Sequence, residues 1–193
     1  AEAMNKGIKI STGDIVGILN ADDYYLENTI QTIVTEHINE PNSILHGDMR
    51  VFGNNKYYDV ISDNKPNILS GMVINHPTMF VPLTIINKHG MYDENFNICG
   101  DWEMCVRYYL LGLNFKNINK ILVHYMIGGV STTKPGIVFE DMRKIRIKHK
   151  LFKYIDFRYY RDKFFLLVFR NQVNAISHKK RMFIFNLKKL IAL

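Results

Sequence analysis

The sequence predicts an α/β fold in which helices flank a mixed sheet. Strand-like and helical apolar patterns alternate through residues 1–138, as they do in layered α/β proteins. A short apolar run, residues 15–19, is bounded by polar residues, which is typical of a strand covered on both faces. Two longer segments, residues 27–38 and 101–111, carry apolar side chains at three- and four-residue spacing, which predicts amphipathic helices beside that sheet.

Composition narrows the class of protein. The chain has 193 residues, of which 47% are hydrophobic, so it can bury a real core in one domain. No apolar run approaches the roughly 20 residues that span a bilayer, and the first residues show no apolar segment of a secretory signal. Cys99 and Cys105 form no metal-ligand pattern, which indicates reduced thiols in a cytoplasmic protein.

The remaining elements follow from periodicity and turn residues. Residues 1–12 predict a short helix, and residues 43–61 predict a hairpin around a Gly-Asn-Asn turn. Residues 71–81 predict a strand interrupted by Pro77, residues 83–89 a short helix before Gly90, and residues 115–124 a last strand. The predicted buried faces of the two longer helices are Ile30, Ile33, Val34 and Ile38 on the first, and Trp102, Cys105, Val106, Tyr109 and Leu110 on the second.

The polar residues after the first predicted strand form a candidate metal site. Asn20, Asp22 and Asp23 lie at the carboxyl end of that strand, where open α/β sheets bind ligands. Adjacent carboxylates repel unless a cation or hydrogen-bond donors compensate. Mg²⁺ or Mn²⁺ holding a substrate diphosphate would do so. A loop in which one Asp caps the next helix explains the same pattern, and the spacing alone leaves both interpretations open.

A series of short motifs is more specific than any one of them. In order, they are Asn5-Lys6-Gly7-Ile8, Gly13-Asp14-Ile15-Val16, Leu19-Asn20-Ala21-Asp22-Asp23, Gly100-Asp101-Trp102-Glu103 with Arg107, and Gly128-Gly129-Val130-Ser131. Together they resemble the family 2 glycosyltransferases of bacteria, enzymes with the Rossmann-like GT-A fold that build surface polysaccharides such as lipopolysaccharide or capsule. The resemblance covers residues 1 to about 131. It implies that residues 1–138 are an N-terminally truncated catalytic domain, without the family's first strand and nucleobase-gripping segments, so that the piece alone would have little or no activity.

The resemblance also implies roles for individual residues. Asp22, Asp23 and Asn20 would hold a divalent cation, Mn²⁺ or Mg²⁺, that bridges the diphosphate of a sugar nucleotide. Asn20 stands where the family more often has Asp. Asp101 matches the family's base, which takes the proton of the acceptor hydroxyl. Its position at the start of a predicted helix also suits an N-cap, and the two roles are compatible.

Further residues are placed by the same resemblance. Asn5 and Gly7, with Asn20 and Asp22, would lie on the side of the nucleotide sugar. Those on the acceptor side would be Asp48, His76, Trp102 and Arg107, and His124 would be an additional metal ligand. Two of these have a second interpretation, since His76 also suits a buried histidine and Trp102 lies on the predicted buried helix face. The implied reaction is an inverting, metal-dependent transfer of a sugar from a nucleotide-diphosphate sugar to a saccharide or lipid-linked acceptor.

Residues 139–193 form a predicted helical extension of different character. They carry 15 Lys or Arg residues against four acids, with many aromatic residues between them, whereas residues 1–138 carry more acids than bases. This pattern predicts peripheral contact with an anionic membrane surface from the cytoplasmic side. A solvated appendage is the alternative. Nucleic-acid binding through the same charges would leave unexplained the loop with Asn20, Asp22 and Asp23, which we call the acidic loop. We therefore expect no nucleic-acid partner. A catalytically silent remnant that pairs with another subunit is a further alternative.

Overall fold

The computed structural model describes residues 1–53, 56–62, 67–127 and 134–151, which belong to one compact unit. Its helices are α1 (Glu2–Ile10), α2 (Thr29–Asn39), α3 (Leu83–His89), α4 (Gly100–Leu110) and α5 (Pro135–Lys148). Its strands are β1 (Ile15–Gly17), β2 (Tyr24–Tyr25), β3 (Ser43–Gly53), β4 (Lys56–Val60), β5 (Phe80–Pro82) and β6 (Asn114–Met126). The predicted hairpin turn at 54–55, the Gly-Gly motif at 128–131 and residues 152–193 of the predicted extension lie outside the described residues.

The strands form one mixed sheet, which confirms the predicted fold class. Their order is β1-β5-β3-β6-β2, and β4 pairs with β3. Strands β3 and β6 are parallel, whereas the other pairs are antiparallel. The predicted hairpin is confirmed by the β3–β4 register, which runs from Met49 opposite Val60 to Gly53 opposite Lys56. The acidic loop joins β1 to β2, so it connects the two ends of the strand order.

Helices cover both faces of the sheet. Neighbouring residues of a strand point to opposite faces, and Ile44 and Leu45 of β3 accordingly belong to two separate clusters of buried side chains. Ile44 belongs to the cluster that includes Trp102 of α4 and Ile145 of α5. Leu45 belongs to the cluster that includes Ile33 of α2. Strand β3, in the middle of the strand order, is therefore covered on both faces.

Helix α2 does not bury the face that its periodicity predicts. Ile33 is buried, but Ile30 and Val34 are exposed, and 72% of Ile38 is exposed. Contact with the sheet is made through Ile33 and through Thr29, whose hydroxyl donates a hydrogen bond to the Leu122 carbonyl at 2.7 Å. The prediction was therefore correct for the helix and wrong for its buried face, because periodicity does not show which neighbouring element covers a helix.

Other boundaries also differ from the predictions. Strand β1 ends at Gly17 instead of residue 19, and the predicted strand at 71–81 is a 3₁₀ turn, His76–Thr78, followed by β5. On α4, Trp102, Cys105 and Val106 are buried as predicted, whereas Tyr109 and Leu110 at its C-terminal end are exposed.

Helix α5 crosses the domain boundary predicted between residues 138 and 139. Its Asp141 accepts hydrogen bonds from the backbone N–H groups of Ile98, at 2.7 Å, and Cys99, at 3.1 Å. Its Ile145 is fully buried in the core beside α4. The described part of the predicted extension thus packs as part of the α/β body. None of the helices in the described ranges combines the length and the hydrophobicity that a membrane span requires.

Candidate active site

The acidic loop after β1 is held in place through Asp23. This side chain is 7% exposed, and its Oδ1 accepts a hydrogen bond from the backbone N–H of Met126 at 3.0 Å. Its Oδ2 accepts a second bond from the side-chain amide of Asn20 at 2.8 Å. Hydrogen bonds to a charged carboxylate are stronger than neutral ones. Asp23 therefore fixes the loop to the end of β6, a role that the sequence did not predict.

Close packing at Gly17 contributes to the same placement. A Cβ at this position would lie 2.5 Å from a ring carbon of Phe80 and 2.8 Å from the Tyr25 hydroxyl oxygen. Such distances are too short for any side chain, so β1 approaches β2 and β5 closely because residue 17 is glycine. Gly17, before the acidic loop, and Tyr25, after it, are thus in close contact.

Asp22 differs from its neighbour in having no structural partner. It is exposed, and among the described residues its carboxylate has no hydrogen bond or ion pair. The adjacent Asp23 is anchored, so the loop presents one free carboxylate on a fixed backbone. That arrangement suits an ion or ligand that arrives from solvent.

The donor set fits a divalent cation that takes most of its ligands from elsewhere. Among the described residues, no three His, Cys, Asp or Glu side chains are grouped so as to enclose a metal. Mg²⁺ commonly binds through one or two carboxylates and completes its coordination with waters and substrate phosphates. Asp22 offers both carboxylate oxygens, and Asp23 retains lone pairs beyond its two hydrogen bonds. These residues therefore fit Mg²⁺ or Mn²⁺ bound together with a diphosphate.

His124, which the resemblance implies as an additional metal ligand, lies on β6 opposite Tyr24, the residue that directly follows Asp23. Its ring stacks on Tyr24 with centroids 4.4 Å apart. Neither of its ring nitrogens has a hydrogen-bond partner among the described residues. Its role as a metal ligand stays a prediction.

Asp101 lies in the first turn of α4, but not at its N-cap. Cys99 occupies the N-cap, and Asp101 Oδ1 accepts a hydrogen bond from the backbone N–H of Trp102 at 2.8 Å. The structure thus corrects the prediction that Asp101 is the N-cap. A carboxylate in the first turn of a helix is stabilised by the positive end of the helix dipole. Asp101 thus has a favourable site as an anion and keeps Oδ2 for another partner.

His76 and Tyr92 accompany Asp101. The Nε2 atom of His76 lies 2.9 Å from the Tyr92 hydroxyl oxygen. Burial lowers the pKa of His76, and the nearby charge of Asp101 opposes that shift without reversing it. Burial also raises the pKa of Tyr92, with a smaller contribution from Asp101. At neutral pH the imidazole of His76 and the phenol of Tyr92 are therefore both uncharged.

Tyr92 is a functional candidate that the sequence prediction missed. It lies in an irregular segment between α3 and α4, where no periodicity distinguishes a buried tyrosine from a surface one. The only available signal was its position shortly after Gly90, which ends α3 with a positive φ of 90°.

Of the predicted nucleotide-side residues, Asn5 has structural partners. It is buried, and its amide pairs with the backbone of Tyr92 in both directions, at 2.9 Å and 3.0 Å. The same amide also donates to Glu94 at 2.8 Å. Asn5 thus joins α1 to the segment that carries Tyr92, and its nucleotide contact stays a prediction. Gly7 is exposed, and nothing lies within 4 Å of where its Cβ would be.

Two predicted acceptor-side residues have structural partners instead. The indole of Trp102 is 1% exposed and donates a hydrogen bond to the Ile68 carbonyl at 2.7 Å. Of the two interpretations of Trp102, this geometry favours the buried core residue. Arg107 pairs with Glu103 and donates to the carbonyls of His89, Gly90 and Met91. These partners use the guanidinium to fix the end of α3, which leaves it unsuited to a substrate phosphate.

Asp48 is buried as well. Its Oδ1 accepts a hydrogen bond from the backbone N–H of Ser62 at 2.7 Å, which holds the segment after β4 against β3. The acceptor contact predicted for Asp48 gains no support from this geometry. The imidazole of His76, in contrast, is close enough to Asp101 for its pKa to respond to that charge.

A family model and the curated relatives of this sequence agree in pointing to glycosyltransferases. The family model described as "Glycosyl transferase family 2" matches residues 1–110, more than half of the chain. Two proteins of Mycobacterium tuberculosis are 25% identical over 159 residues: "Uncharacterized glycosyltransferase MT1564" of strain CDC 1551 / Oshkosh and "Uncharacterized glycosyltransferase Rv1514c" of strain ATCC 25618 / H37Rv. Each match covers 79% of this chain, and the chain spans only 60% of the length of these curated relatives.

Solved structures share the fold at low sequence identity. A crystal structure of S. aureus TarS superposes with a TM-score of 0.58 at 15% identity, covering 77% of this chain and 27% of TarS. Residues 1–349 of TarS in complex with UDP give a TM-score of 0.56 at 16% identity, covering 76% of this chain and 44% of that one. A third TarS structure, in complex with UDP-GlcNAc, also gives 0.56. At this identity the likeness establishes the fold.

Proposed function

Because the chain belongs to glycosyl transferase family 2, we propose that it takes part in moving a sugar from a nucleotide-diphosphate sugar to a hydroxyl of a saccharide or lipid-linked acceptor. The observation that carries this proposal is the division within the acidic loop, where Asp23 is anchored and Asp22 is exposed with no partner among the residues that the structure describes. A carboxylate held in this way is suited to a cation that arrives with a diphosphate. The TarS complexes with UDP and UDP-GlcNAc support a nucleotide-sugar donor.

Asp22 and Asp23 are the residues that would hold the divalent cation. When bound there, Mn²⁺ or Mg²⁺ supplies positive charge that stabilises the departing diphosphate. Asp23 provides a fixed position through its bond to Met126, and Asp22 provides the free oxygens. The Asn20 amide donates to Asp23, so its carbonyl oxygen is available for a water or the donor.

Asp101 is proposed as the base. Its Oδ2 would take the proton of the acceptor hydroxyl while that oxygen attacks the anomeric carbon. The bond from the anomeric carbon to the diphosphate oxygen breaks at the same time, and its electron pair stays with the diphosphate. One displacement of this kind inverts the anomeric configuration. Oδ1 is held by the Trp102 N–H throughout, so the carboxylate keeps its orientation.

His76 and Tyr92 are proposed to set the environment of that base. A cation beside Asp101 would stabilise its charged form and weaken it as a base. Burial keeps the pKa of His76 low, so at neutral pH Asp101 has no imidazolium beside it. A biosynthetic role in bacterial surface polysaccharides, at the cytoplasmic face of the membrane, is consistent with this chemistry and remains part of the proposal.

The test is nucleotide release by the whole gene product with Mn²⁺, a saccharide acceptor and a panel of UDP- and GDP-sugars. We expect one donor to release nucleoside diphosphate, with EDTA stopping the reaction and Mn²⁺ restoring it. Proton NMR of the product should then show an inverted anomeric centre. Release that continues in EDTA, or that is unchanged in Asp22→Ala, would contradict the metal role. Absence of both release and nucleotide binding across the panel would overturn the proposed function.

A further inference from the structure

Helix α4, which carries Asp101, begins at a residue whose side chain does not cap it. Its N-cap is Cys99, and this side chain makes no capping hydrogen bond. Asp, Asn, Ser and Thr usually provide that bond, because the first N–H groups of a helix have no partner within the helix. The thiol of Cys99 instead donates a hydrogen bond to the Val138 carbonyl of α5 at 3.7 Å. The start of α4 therefore depends in part on another helix.

Helix α5 also supplies an acidic side chain to the start of α4. Asp141 Oδ2 accepts hydrogen bonds from the N–H groups of Ile98, at 2.7 Å, and Cys99, at 3.1 Å. An acidic side chain at the N-terminus of a helix also suits the helix dipole. Asp141 thus does the work of an N-terminal cap, although it comes 42 residues after Cys99 in the sequence.

The second oxygen of Asp141 shows that stability alone is a poor explanation for this residue. The side chain is 1% exposed, and its Oδ1 has no hydrogen-bond partner among the described residues. A buried polar atom without a partner costs free energy. This cost offsets part of what the two hydrogen bonds at Oδ2 contribute to folding.

Further contacts from α5 lie on the other side of Asp101. Glu103 Oε1 is 2.6 Å from Lys148 Nζ and 2.9 Å from His149 Nε2. The part of the chain that α5 binds therefore begins before Asp101, where Asp141 holds it, and continues after Asp101. Contacts on both sides restrict where the backbone of Asp101 can lie.

We propose that Asp141 is a positioning residue for Asp101, the base of the transfer; this rests on the proposed function. Asp141 acts through the backbone of Ile98 and Cys99 and not by touching a substrate. Because Oδ1 of Asp101 is held by the Trp102 N–H, a fixed backbone leaves Oδ2 few directions in which to point. A displacement of about 1 Å can slow a reaction about a hundredfold. Asp141 therefore supports kcat and not donor affinity.

A reactive cysteine would be a different use of the same carboxyl groups. Burial raises the pKa of the Cys99 thiol to about 12, and the charges of Asp101 and Asp141 contribute to a smaller extent. The thiol is therefore protonated at neutral pH, whereas a nucleophilic cysteine needs its thiolate form. These acidic residues do not activate Cys99, which leaves the placement of α4 as the role of Asp141.

The first measurement is turnover by the whole gene product with Mn²⁺, a saccharide acceptor and the UDP- or GDP-sugar that supports nucleotide release. Asp141→Asn keeps one oxygen for the two N–H groups but loses the charge. We expect kcat to fall about tenfold, with Mn²⁺-dependent donor affinity unchanged. In an Asp101→Asn background the same change should cause no further loss, because the base that Asp141 positions is already absent. Single-turnover assays make the slow release measurable.

The matched control is Ser43→Ala, at the opposite end of the sheet. Ser43 is 5% exposed, and its hydroxyl donates to Glu40 at 3.0 Å and accepts from Asn114 at 2.9 Å. Ser43 and Asn114 are paired where β3 and β6 begin, whereas Asp23 is bound where β6 ends. The control should lower the melting temperature and leave kcat unchanged.

Amide hydrogen exchange gives a second readout that needs neither donor nor metal. The Trp102 N–H, which is bonded to Asp101, should exchange about tenfold faster in Asp141→Asn than in the wild type. The reference is the amide of Leu45, a buried residue of β3, so that a general loss of stability is not mistaken for a local one. Ser43→Ala should leave the ratio of the two exchange rates unchanged.

The outcomes separate this proposal from the proposed function. An unchanged kcat in Asp141→Asn, an equal further loss in the Asp101→Asn background, or a wild-type exchange ratio would overturn the positioning role. A kcat loss of the same size in Ser43→Ala would overturn it too. If the wild type releases nucleotide from no donor, the proposed function is wrong, and the exchange ratio still decides whether Asp141 holds the first turn of α4.

Discussion

The acidic loop after β1 and the first turn of α4 each contain two acidic residues, and each divides them in the same way. In the loop, Asp23 is buried and hydrogen-bonded to the end of β6, while Asp22 is exposed and has no hydrogen bond or ion pair among the described residues. In the turn, Glu103 is 0% exposed and contacts Lys148, His149 and Arg107, while one oxygen of Asp101 has no partner in the part of the chain that the structure describes. In both regions one carboxylate stabilises the fold and fixes the position of the other.

The comparison shows what determines the role of an acidic residue. Asp22 and Asp23 are adjacent and chemically identical, so composition cannot distinguish them. The difference comes from β6, about a hundred residues later in the chain, which supplies the Met126 N–H. Likewise α5 supplies Lys148 to Glu103. Tertiary partners remote in sequence therefore decide which carboxylate is left for chemistry.

The largest expected effect is on turnover in Asp101→Asn. The amide can still accept the Trp102 N–H bond but cannot take a proton. We expect turnover to fall by about 10²–10⁴-fold, with donor affinity and the unfolding temperature nearly unchanged. Steady-state kinetics and a thermal melt check this. Turnover reduced less than about tenfold would show that Asp101 is not the base and would break the parallel between the two regions.

The next effect is on stability in Glu103→Gln. Removing the charge of a buried carboxylate that pairs with Lys148 and Arg107 and is hydrogen-bonded to His149 should lower the free energy of unfolding by roughly 1–3 kcal/mol, less than for a fully enclosed pair because Lys148 can reach water. Urea denaturation measures the loss. The matched control is Glu2→Gln, whose exposed pair with Lys6 should contribute almost nothing. Equal effects of the two changes would contradict the structural role of Glu103.

A smaller difference should separate Asp22→Asn from Asp23→Asn. Asp23→Asn weakens a charge-assisted bond to Met126 and should cost about 1–2 kcal/mol of unfolding free energy. Asp22→Asn removes an unpaired charge next to another carboxylate, so it should leave stability unchanged or slightly raised. The two melts, recorded without metal, should therefore differ in sign or size. Identical melting temperatures would remove the distinction within the acidic loop.

The smallest effect is a pH dependence that belongs to Glu103. Burial would raise the pKa of this carboxyl, but the hydrogen bond from Lys148, the charge of Arg107 and the hydrogen bond from His149 outweigh it and lower the pKa below 4.5. The folded state then binds the proton less readily than the unfolded state. The resulting stability is present above about pH 4.5 and is lost as the pH falls through the lowered pKa. Urea unfolding between about pH 6 and pH 3 should show a steeper loss in the wild type than in Glu103→Gln.

Much of the architecture was predictable from local patterns. The hairpin of β3 and β4 and the short helix α3 follow from turn residues and periodicity, and Gly90 has the positive φ of 90° expected after that helix. The start of α4 was predicted one residue too late, because Asp101 resembles a capping residue although Cys99 occupies the N-cap. Such errors arise where local propensity competes with contacts that form only in the folded chain.

The site was predictable in part. The motifs identified the loop with Asp22 and the helix with Asp101, but several other motif residues have structural roles. Asn5 pairs with the backbone of Tyr92, and Arg107 with the end of α3. The stack of His124 on Tyr24 follows from the β2–β6 register, which no motif shows. The partners of Asn5 and His124 lie far away in the sequence, which is why local patterns do not reveal them.

Metal-dependent donor binding tests the division of roles most directly. Calorimetry would compare the wild type, Asp22→Asn and Asp101→Asn of the whole gene product, each with Mn²⁺ and the donor that supports nucleotide release. We predict that Asp22→Asn loses the Mn²⁺-dependent part of the affinity, whereas Asp101→Asn binds the donor like the wild type. Equal donor affinity in all three proteins, or loss of binding in Asp101→Asn with Asp22→Asn unaffected, would contradict the account.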